Sequence, residues 1–247
     1  MKKCLKKIQG SLSDTLAERS AITMFDDFYS EDDVESIVNR IPVEEILWFP
    51  EHRLGRIGFS IKEVQEQRCE VNTEMYFEKA AEVQKLFENV FAEVENPVSK
   101  LAKLLSEVGH GYGIANDPAY NKMYNYGVLE YQKCGRNLHV DNFVGKGLNL
   151  SFVVNLALPE EGGELVLYNR RHSNSDGYTS QNTDYSTFLK RVTNNEENLV
   201  ISPKKGQAYL FNNSYYHLVK KSKGERYRVS FLSILKQLTS NSFVGYV

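Results

Sequence analysis

The chain has 247 residues, of which 41% are apolar and 25% are charged, and its net charge at neutral pH is −2. This composition is typical of a globular protein and excludes a largely disordered chain. The near-zero charge argues against a nucleic-acid-binding module, and no apolar run is long enough to span a membrane, so we expect neither partner.

The N-terminal residues and the cysteines indicate the cellular compartment. The basic first residues are not followed by the apolar core of a secretory signal. Cys4, Cys69 and Cys134 form no Cys-x-x-Cys pair, which is typical of reduced thiols rather than of a disulfide or zinc framework. We therefore expect a cytoplasmic protein.

The first half of the chain predicts one short strand followed by helices. After a polar segment over residues 1–20, residues 21–25 have the pattern of a strand. Ser30 is a predicted helix N-cap because Asp33 stands three positions on, and Pro42 ends the helical pattern. Two longer apolar patterns and a segment rich in Gly, Asn and Pro follow: predicted helices over 76–94 and 97–108, and a predicted loop over 109–122.

The second half predicts short strands, because aromatic and β-branched runs alternate with Gly, Asn and Pro. The clearest strand covers residues 147–156. One of its faces is apolar, and the other carries Asn149, Ser151 and Asn155, which line either a pocket or a solvated edge. Further strands are predicted over 126–131, 164–168, 199–201, 207–211, 217–219 and 226–235.

A long polar insertion separates two of these strands. It covers residues 170–198, contains a predicted helix around 185–192, and is a candidate lid over an active site because long loops in compact domains are often functional. The order of elements, helices first and strands afterwards, predicts an α+β fold in which an N-terminal helical layer packs on a sandwich or barrel of strands.

Three residues together predict a metal site. In a strand, residues i and i+2 project from the same face, so the His139 and Asp141 side chains would converge, and His217 begins a later predicted strand. Two imidazoles and one carboxylate are the ligand set that holds non-haem Fe(II) and leaves coordination positions open. The other histidines, His52, His110 and His172, have no partner at ligand spacing.

The strand predicted after His217 carries Arg226, Arg228 and Ser230 on one face. An arginine buried in a strand is costly unless a carboxylate pairs with it, and a bidentate contact satisfies it best. The pattern therefore predicts a carboxylate partner for either arginine, with Ser230 adding a hydroxyl group.

Residues 124–235 resemble the iron(II)/2-oxoglutarate-dependent dioxygenases, in their prolyl-4-hydroxylase-like branch. The matching residues, in the family's order, are His139-Val140-Asp141-Asn142, Gly162-Gly163-Glu164-Leu165, Pro203-Lys204-Lys205-Gly206, His217 and Gly224-Glu225-Arg226-Tyr227. The helix-rich front half is also similar to small free-standing amino-acid hydroxylases and halogenases of this kind.

The resemblance implies a double-stranded β-helix, or jelly-roll, in a single domain over 1–247, with a helical front over about 21–122 and a jelly-roll core over about 123–240. It implies that His139, Asp141 and His217 bind iron. The resemblance also implies that an arginine after His217 binds 2-oxoglutarate. Arg226 matches the family's Arg-Tyr pattern best, and Arg228 with Ser230 matches an alternative Arg-x-Ser form. Tyr131 matches a position that lines the 2-oxoglutarate pocket.

The implied activity uses Fe(II), 2-oxoglutarate and O2, releases succinate and CO2, and hydroxylates a C–H bond. Related halogenases carry Gly or Ala in place of the carboxylate ligand so that halide can bind iron. Asp141 is present here, which favours hydroxylation.

The sequence predicts the class of substrate in less detail than the reaction. A small molecule, such as a free amino acid or related metabolite, is favoured because the chain shows no protein-binding module. Candidate substrate contacts are Arg136, Asn142, Asn149 and Ser151. Two alternatives stay open: hydroxylation of a peptidyl residue such as proline, which needs an open groove, and a non-catalytic jelly-roll module, in which the three ligands do not converge or no arginine faces the centre.

Overall fold

A computed structural model describes residues 7–49, 54–58, 73–108, 113–115, 127–133, 135–141, 147–173, 185–194 and 196–246. Asn142, Gly109 and most of the loop predicted over 109–122 lie outside these residues.

The front half contains the helices that the apolar spacing predicts, together with a short helix within residues 1–20 and several strands. Its helices are α1 (Leu12–Leu16), α2 (Glu31–Asn39), α3 (Thr73–Val90) and α4 (Pro97–Glu107). Helix α2 begins with a capping box, in which the Ser30 hydroxyl accepts a hydrogen bond from the Asp33 backbone N–H and the Asp33 carboxylate accepts one from the Ser30 backbone N–H. At α4, the Asn96 side chain caps the first turn and Pro97 takes a position where its missing N–H costs nothing.

The strands form two sheets within the described part of the chain. The strands are β1 (Ile22–Phe25), β2 (Leu47–Phe49), β3 (Leu54–Ile57), β4 (Gly113–Ala115), β5 (Val128–Gln132), β6 (Arg136–His139), β7 (Asn149–Ala157), β8 (Leu165–Arg171), β9 (Asn198–Ile201), β10 (Ala208–Asn212), β11 (Tyr215–Val219), β12 (Arg228–Thr239) and β13 (Ser242–Tyr246). The larger sheet has the order β1-β10-β7-β12-β5-β3-β2, with β13 beside β12 and β4 beside β13, and the smaller has the order β6-β11-β8-β9. Apart from β13 with β4, every pair is antiparallel.

The outer face of the larger sheet packs against the helices. Phe231 of β12 lies at the centre of this contact, with its ring centroid 6.0 Å from Phe87 of α3, 5.9 Å from Phe91 and 6.5 Å from Phe152. Apolar residues from both layers surround it in one buried cluster. Burial of this apolar surface is the main contribution that holds the helical layer on the sheet.

The inner face of the larger sheet turns toward the smaller sheet. Val153, Tyr209 and Phe211 of the larger sheet share a buried cluster with Leu165 and Leu167 of β8 in the smaller one. Two facing antiparallel sheets with a helical layer on one outside face form the jelly-roll architecture that the sequence predicts. No helix among the described residues is long and apolar enough to cross a membrane.

Two features differ from the sequence prediction, and a third agrees with it. Strands β2 and β3 pair with each other and extend the larger sheet beyond β5, although neither strand is long enough to show a clear alternating pattern. Strand β4 lies within the segment predicted as a loop, and it pairs with β13. The helix predicted in the insertion is confirmed as α5 (Tyr185–Thr193).

Candidate metal centre and co-substrate site

The pairing of β6 with β11 brings two histidines face to face. His139 ends β6 and lies directly opposite His217 in the antiparallel register, and their ring centroids are 4.2 Å apart. The register shifts between this pair and the next, Val219 with Arg136, because β6 has one residue more than β11 over this stretch and bulges. The two imidazoles therefore converge because of strand pairing between segments far apart in the sequence.

Asp141 completes the cluster just beyond the end of β6. Its backbone N–H donates to the Asn213 carbonyl, and its Oδ2 accepts a hydrogen bond of 2.8 Å from the Ser151 hydroxyl of β7. Asp141 Oδ1 lies 3.5 Å from His139 Nε2, and Asp141 Oδ2 lies 3.6 Å from His217 Nε2. One ligand atom from each of the three residues lies within 4.8 Å of the other two.

Hydrogen bonds to the backbone determine the tautomers of both histidines. His139 Nδ1 donates to the Asn137 carbonyl at 2.6 Å, and His217 Nδ1 donates to the Tyr215 carbonyl at 2.9 Å. Because a carbonyl only accepts, the proton of each neutral ring lies on Nδ1 and the lone pair of Nε2 faces Asp141. This arrangement is typical of metal-binding histidines, whose second nitrogen is fixed by a hydrogen-bond partner.

The electrostatic environment favours the protonation states in which His139 and Asp141 can bind a metal, a neutral imidazole and an ionised carboxylate. Burial, together with the charge of His217, lowers the pKa of His139 to about 4. Burial alone would raise the pKa of Asp141, but the two histidines and the Ser151 hydroxyl outweigh it and hold that pKa well below its usual range. At neutral pH the site therefore offers a neutral His139 and an ionised Asp141, which suit a divalent cation with nitrogen and oxygen ligands.

The three side chains of the triad are unequally exposed. The His217 side chain is 4% exposed, whereas those of Asp141 and His139 are 19% and 29% exposed. A metal held by the three residues would keep protein on the His217 side and open coordination positions on the other. Such an arrangement fits a catalytic ion better than a closed structural one.

Arg228 is a buried cation on the inner face of the larger sheet. Its guanidinium donates to Asn155 Oδ1 at 3.1 Å, to the Tyr209 hydroxyl at 2.7 Å and, at 3.5 Å, to Gln132 Oε1. All three partners are neutral, and the Arg228 Nε has no hydrogen-bond partner within the part of the chain described here. A buried guanidinium with neutral neighbours favours an anionic ligand, and a carboxylate matches its geometry.

Two strands connect Arg228 to the triad. On β7, Ser151 contacts Asp141 and Asn155 contacts Arg228, and residues four apart lie on the same strand face, about 13 Å apart. On β10, the Tyr209 hydroxyl contacts Arg228, while the Phe211 ring lies 4.9 Å from the His217 ring. The metal ligands and the buried cation therefore lie on the same inner face of the larger sheet, and the charges at the two ends suit a dicarboxylate.

The structure separates the two arginines that the sequence left as alternatives. Arg226 precedes β12, its side chain is largely exposed, and its Nε lies 3.8 Å from Glu160 Oε1 at the surface. Arg228 is the first residue of β12 and is buried. Ser230 is also buried on the Arg228 face, opposite Glu130 of β5.

Tyr131 is not brought into this interior. Strand alternation turns it to the outer face of β5, where its ring lies 6.2 Å from Trp48 and 6.4 Å from Tyr227. Tyr131 therefore lies on the opposite face of the larger sheet from Arg228, and its contact with 2-oxoglutarate stays a prediction. Its neighbour Gln132, on the inner face, contacts Arg228 instead.

The polar face of β7 is buried within the sheet and is not a solvated edge. Strand β7 lies between β10 and β12, and Ser151 and Asn155 are both buried. Asn149, at the first position of the strand, is partly buried and donates to the Gly147 carbonyl at 3.3 Å.

A buried carboxylate between two arginines was missed by sequence reasoning. Glu130 Oε1 accepts hydrogen bonds from Arg56 Nη2 at 2.5 Å and from Arg136 Nη2 at 2.6 Å. Arg56 and Glu130 are register partners across β3 and β5. A charged residue inside an otherwise apolar strand was the available signal, since buried carboxylates require partners.

The helix of the insertion lies behind the metal ligands rather than over them. Phe188 and Val192 of α5 pack in one cluster with Leu138 and Tyr216, the immediate neighbours of His139 and His217. These residues occupy the outer face of β6 and β11, because alternate residues point to opposite faces. Helix α5 therefore supports the strand pair that carries the histidines, and the lid expectation is wrong for this part of the insertion.

Comparisons with known proteins agree with this geometry. A family model described as carrier-protein-independent halogenase WelO5 matches residues 130–240. No curated protein matches the sequence. The fold is similar to that of an N-substituted L-amino acid dioxygenase from Burkholderia ambifaria, with a TM-score of 0.62 at 10% identity over 95% of this chain and 89% of that one.

Two further solved structures share the fold. The same Burkholderia ambifaria enzyme in complex with alpha-KG gives a TM-score of 0.59 at 10% identity, again over 95% and 89% of the two chains. An oxidoreductase of the 2OG-Fe(II) oxygenase family from Burkholderia pseudomallei gives 0.52 at 11% identity over 94% of this chain and 91% of that one. The jelly-roll of the 2OG-Fe(II) oxygenases, which the motifs predicted, is confirmed as the fold of this chain.

Proposed function

We propose that the chain is an Fe(II)- and 2-oxoglutarate-dependent oxygenase that hydroxylates a C–H bond of a small molecule and releases succinate and CO2. The observation that carries the proposal is the convergence of His139, Asp141 and His217, with both Nε2 atoms facing the carboxylate. The same convergence argues against a non-catalytic module. Bound Fe(II) would supply the activation of O2 that the protein side chains cannot perform.

The side chains take distinct roles in this proposal. His139, Asp141 and His217 hold the metal, with Ser151 fixing one oxygen of Asp141. Arg228 binds the distal carboxylate of 2-oxoglutarate, and Tyr209, Asn155 and Gln132 hold its guanidinium in place. The buried site keeps bulk water away from the reacting groups on the His217 side, which limits side reactions.

Asp141 supports hydroxylation rather than halogenation. A halide would need a coordination position on the metal, and in this chain the third protein ligand takes that position. The matched family model is that of a halogenase, so the two outcomes have to be separated by product analysis. We expect a product that gains one oxygen atom, with and without added chloride.

A small substrate such as an amino acid derivative is supported by the fold likeness to an amino acid dioxygenase. We also propose that residues 1–247 act as one catalytic domain, since the helical layer shares a buried core with the larger sheet. Hydroxylation of a peptidyl residue would instead need an extended groove leading to the triad, and a peptide panel tests it alongside the small molecules.

The test is succinate formation from 2-oxoglutarate under air, with added Fe(II). We expect formation by the wild-type chain, stimulated by the true substrate, and a loss of at least about 100-fold in Asp141→Ala because two ligands hold the metal poorly. A Glu161→Ala variant removes an exposed carboxylate paired with Lys223 and serves as the matched control. Absence of Fe(II)-dependent succinate with every small molecule and peptide tried would refute the proposal.

A further inference from the structure

Arg136 is a candidate ligand-binding residue at the edge of the metal site. It begins β6, three residues before His139, and reaches across to Glu130 on β5. Its positive charge is close enough to His139 to contribute to the lowered pKa of that ring. Arg136 therefore lies close to His139, the more exposed of the two histidines.

The three charged residues of this cluster are not equally buried. The side chains of Arg56 and Glu130 are 10% and 4% exposed, whereas that of Arg136 is 36% exposed. Arg56 is the register partner of Glu130 and binds it from the neighbouring strand. This pair joins β3 to β5 and does not need Arg136 to do so.

Arg136 keeps unused binding capacity. A guanidinium has five N–H donors, and Glu130 Oε1, an oxygen shared with Arg56, is its one acidic partner within the described ranges. The bond to Glu130 orients the group and occupies Nη2, and the side chain is still 36% exposed. A guanidinium held in one orientation loses little entropy when it binds a planar anion.

We propose that Arg136, oriented by Glu130, binds a carboxylate group of the substrate and so selects carboxylate-bearing small molecules. This inference rests on the proposed function and deepens it, because it names the chemical class of the molecule that lies beside the metal. It separates the two anion sites of the interior: Arg228 for the co-substrate, and Arg136 for the substrate.

The experiment measures binding without turnover. Wild-type protein with Fe(II) and 2-oxoglutarate is titrated under argon with a panel of L-amino acids and N-acyl L-amino acids, and with the C-terminal primary amide of each. The amides keep the shape and remove the negative charge. We expect at least one carboxylate to bind at least about tenfold more tightly than its amide, since a charge-assisted hydrogen bond contributes roughly 1.5–3 kcal/mol.

Variants assign that preference to Arg136. Arg136→Gln is expected to reduce carboxylate affinity to the level of the amide and to leave amide affinity within twofold, and Arg136→Lys to retain part of the preference. Arg40→Gln is the matched control, because the Arg40 side chain is 38% exposed and also pairs with a single carboxylate, that of Glu93. It should change neither affinity.

Three results would overturn the inference: a panel in which no carboxylate binds, amides that bind as tightly as carboxylates, or a preference unchanged in Arg136→Gln. Succinate formation by the wild-type chain distinguishes this failure from failure of the proposed function. If Fe(II)-dependent succinate forms but Arg136→Gln keeps the carboxylate preference, only the substrate assignment is wrong.

Discussion

The two faces of the larger sheet use the same strands for opposite purposes. On β12, Arg228 and Ser230 point inward, and Arg228 contacts polar partners there, whereas Val229 and Phe231 point outward into the apolar core beneath the helices. On β5, Glu130 and Gln132 point inward, and Leu129 packs outward. Alternate residues on one strand therefore contribute either to the site or to the core.

The difference between the faces has an energetic meaning. Outward residues stabilise the fold by burying apolar surface, whereas inward polar residues must be hydrogen-bonded to avoid a desolvation penalty. Several inward groups, among them Arg228 Nε and Asn155 Nδ2, have no partner among the described residues. Such unsatisfied groups are typical of sites that bind a ligand, and they predict that the two faces respond differently to substitution.

The largest effect on stability is expected at the outer face. Phe231→Ala removes a buried ring that contacts Phe87, Phe91 and Phe152, and should lower the free energy of unfolding by about 3–5 kcal/mol. Urea denaturation measures the loss. Fe(II) affinity of the folded fraction should stay within a few fold, and a large loss of affinity in folded protein would mean that the faces are not independent.

A smaller effect is expected from Glu130 as the pH falls. Burial alone would raise the pKa of Glu130, but Arg136 and Arg56 outweigh it and lower that pKa to about 2. The ionised carboxylate therefore stabilises the folded state at pH values above 4.5, the ordinary pKa of a glutamate. This contribution, on the order of 3 kcal/mol, is lost as the pH falls toward 2.

The measurement is the pH dependence of urea denaturation between pH 5 and about pH 2.5. Glu130→Gln should flatten the curve in this window, whereas Glu161→Gln, at an exposed surface pair, should leave it close to that of the wild type. Parallel curves for wild type and Glu130→Gln would contradict the assigned charge of this carboxylate.

The third prediction concerns Arg228 and separates the arginine alternatives. Arg228→Gln should raise the KM for 2-oxoglutarate by about 100-fold, equivalent to about 2.7 kcal/mol, because the charge-assisted contact is lost. Stability should change little, since the variant removes a buried cation with neutral partners. Arg226→Gln should change the KM less than twofold, and the opposite ranking of the two variants would show that the co-substrate site is misplaced.

The sequence predicted the metal cluster and the fold class more completely than the interior around them. The Ser30–Asp33 capping box and the strand around Asn149 follow from local rules, and both are confirmed. His139 and Asp141 are close in sequence, and His217 could be added because its residue type completes a known ligand set.

Other features depend on information that a single strand does not contain. Arg226 and Arg228 are two residues apart, so strand alternation places both on the same face and does not show which one is buried. The start of β12 at Arg228 distinguishes them. Glu130 meets Arg56 through pairing between strands separated by more than 70 residues, which no local pattern reveals. Tyr131 was matched by its distance from His139, but that distance does not report the face to which its strand turns it.

The central claim is that His139, Asp141 and His217 bind one catalytic Fe(II). Equilibrium dialysis under argon, followed by elemental analysis, measures it most directly. We expect one Fe(II) per wild-type chain and a loss of affinity of at least about tenfold in each of His139→Ala, Asp141→Ala and His217→Ala, with folding checked by circular dichroism. Folded variants that keep wild-type Fe(II) affinity would contradict the account.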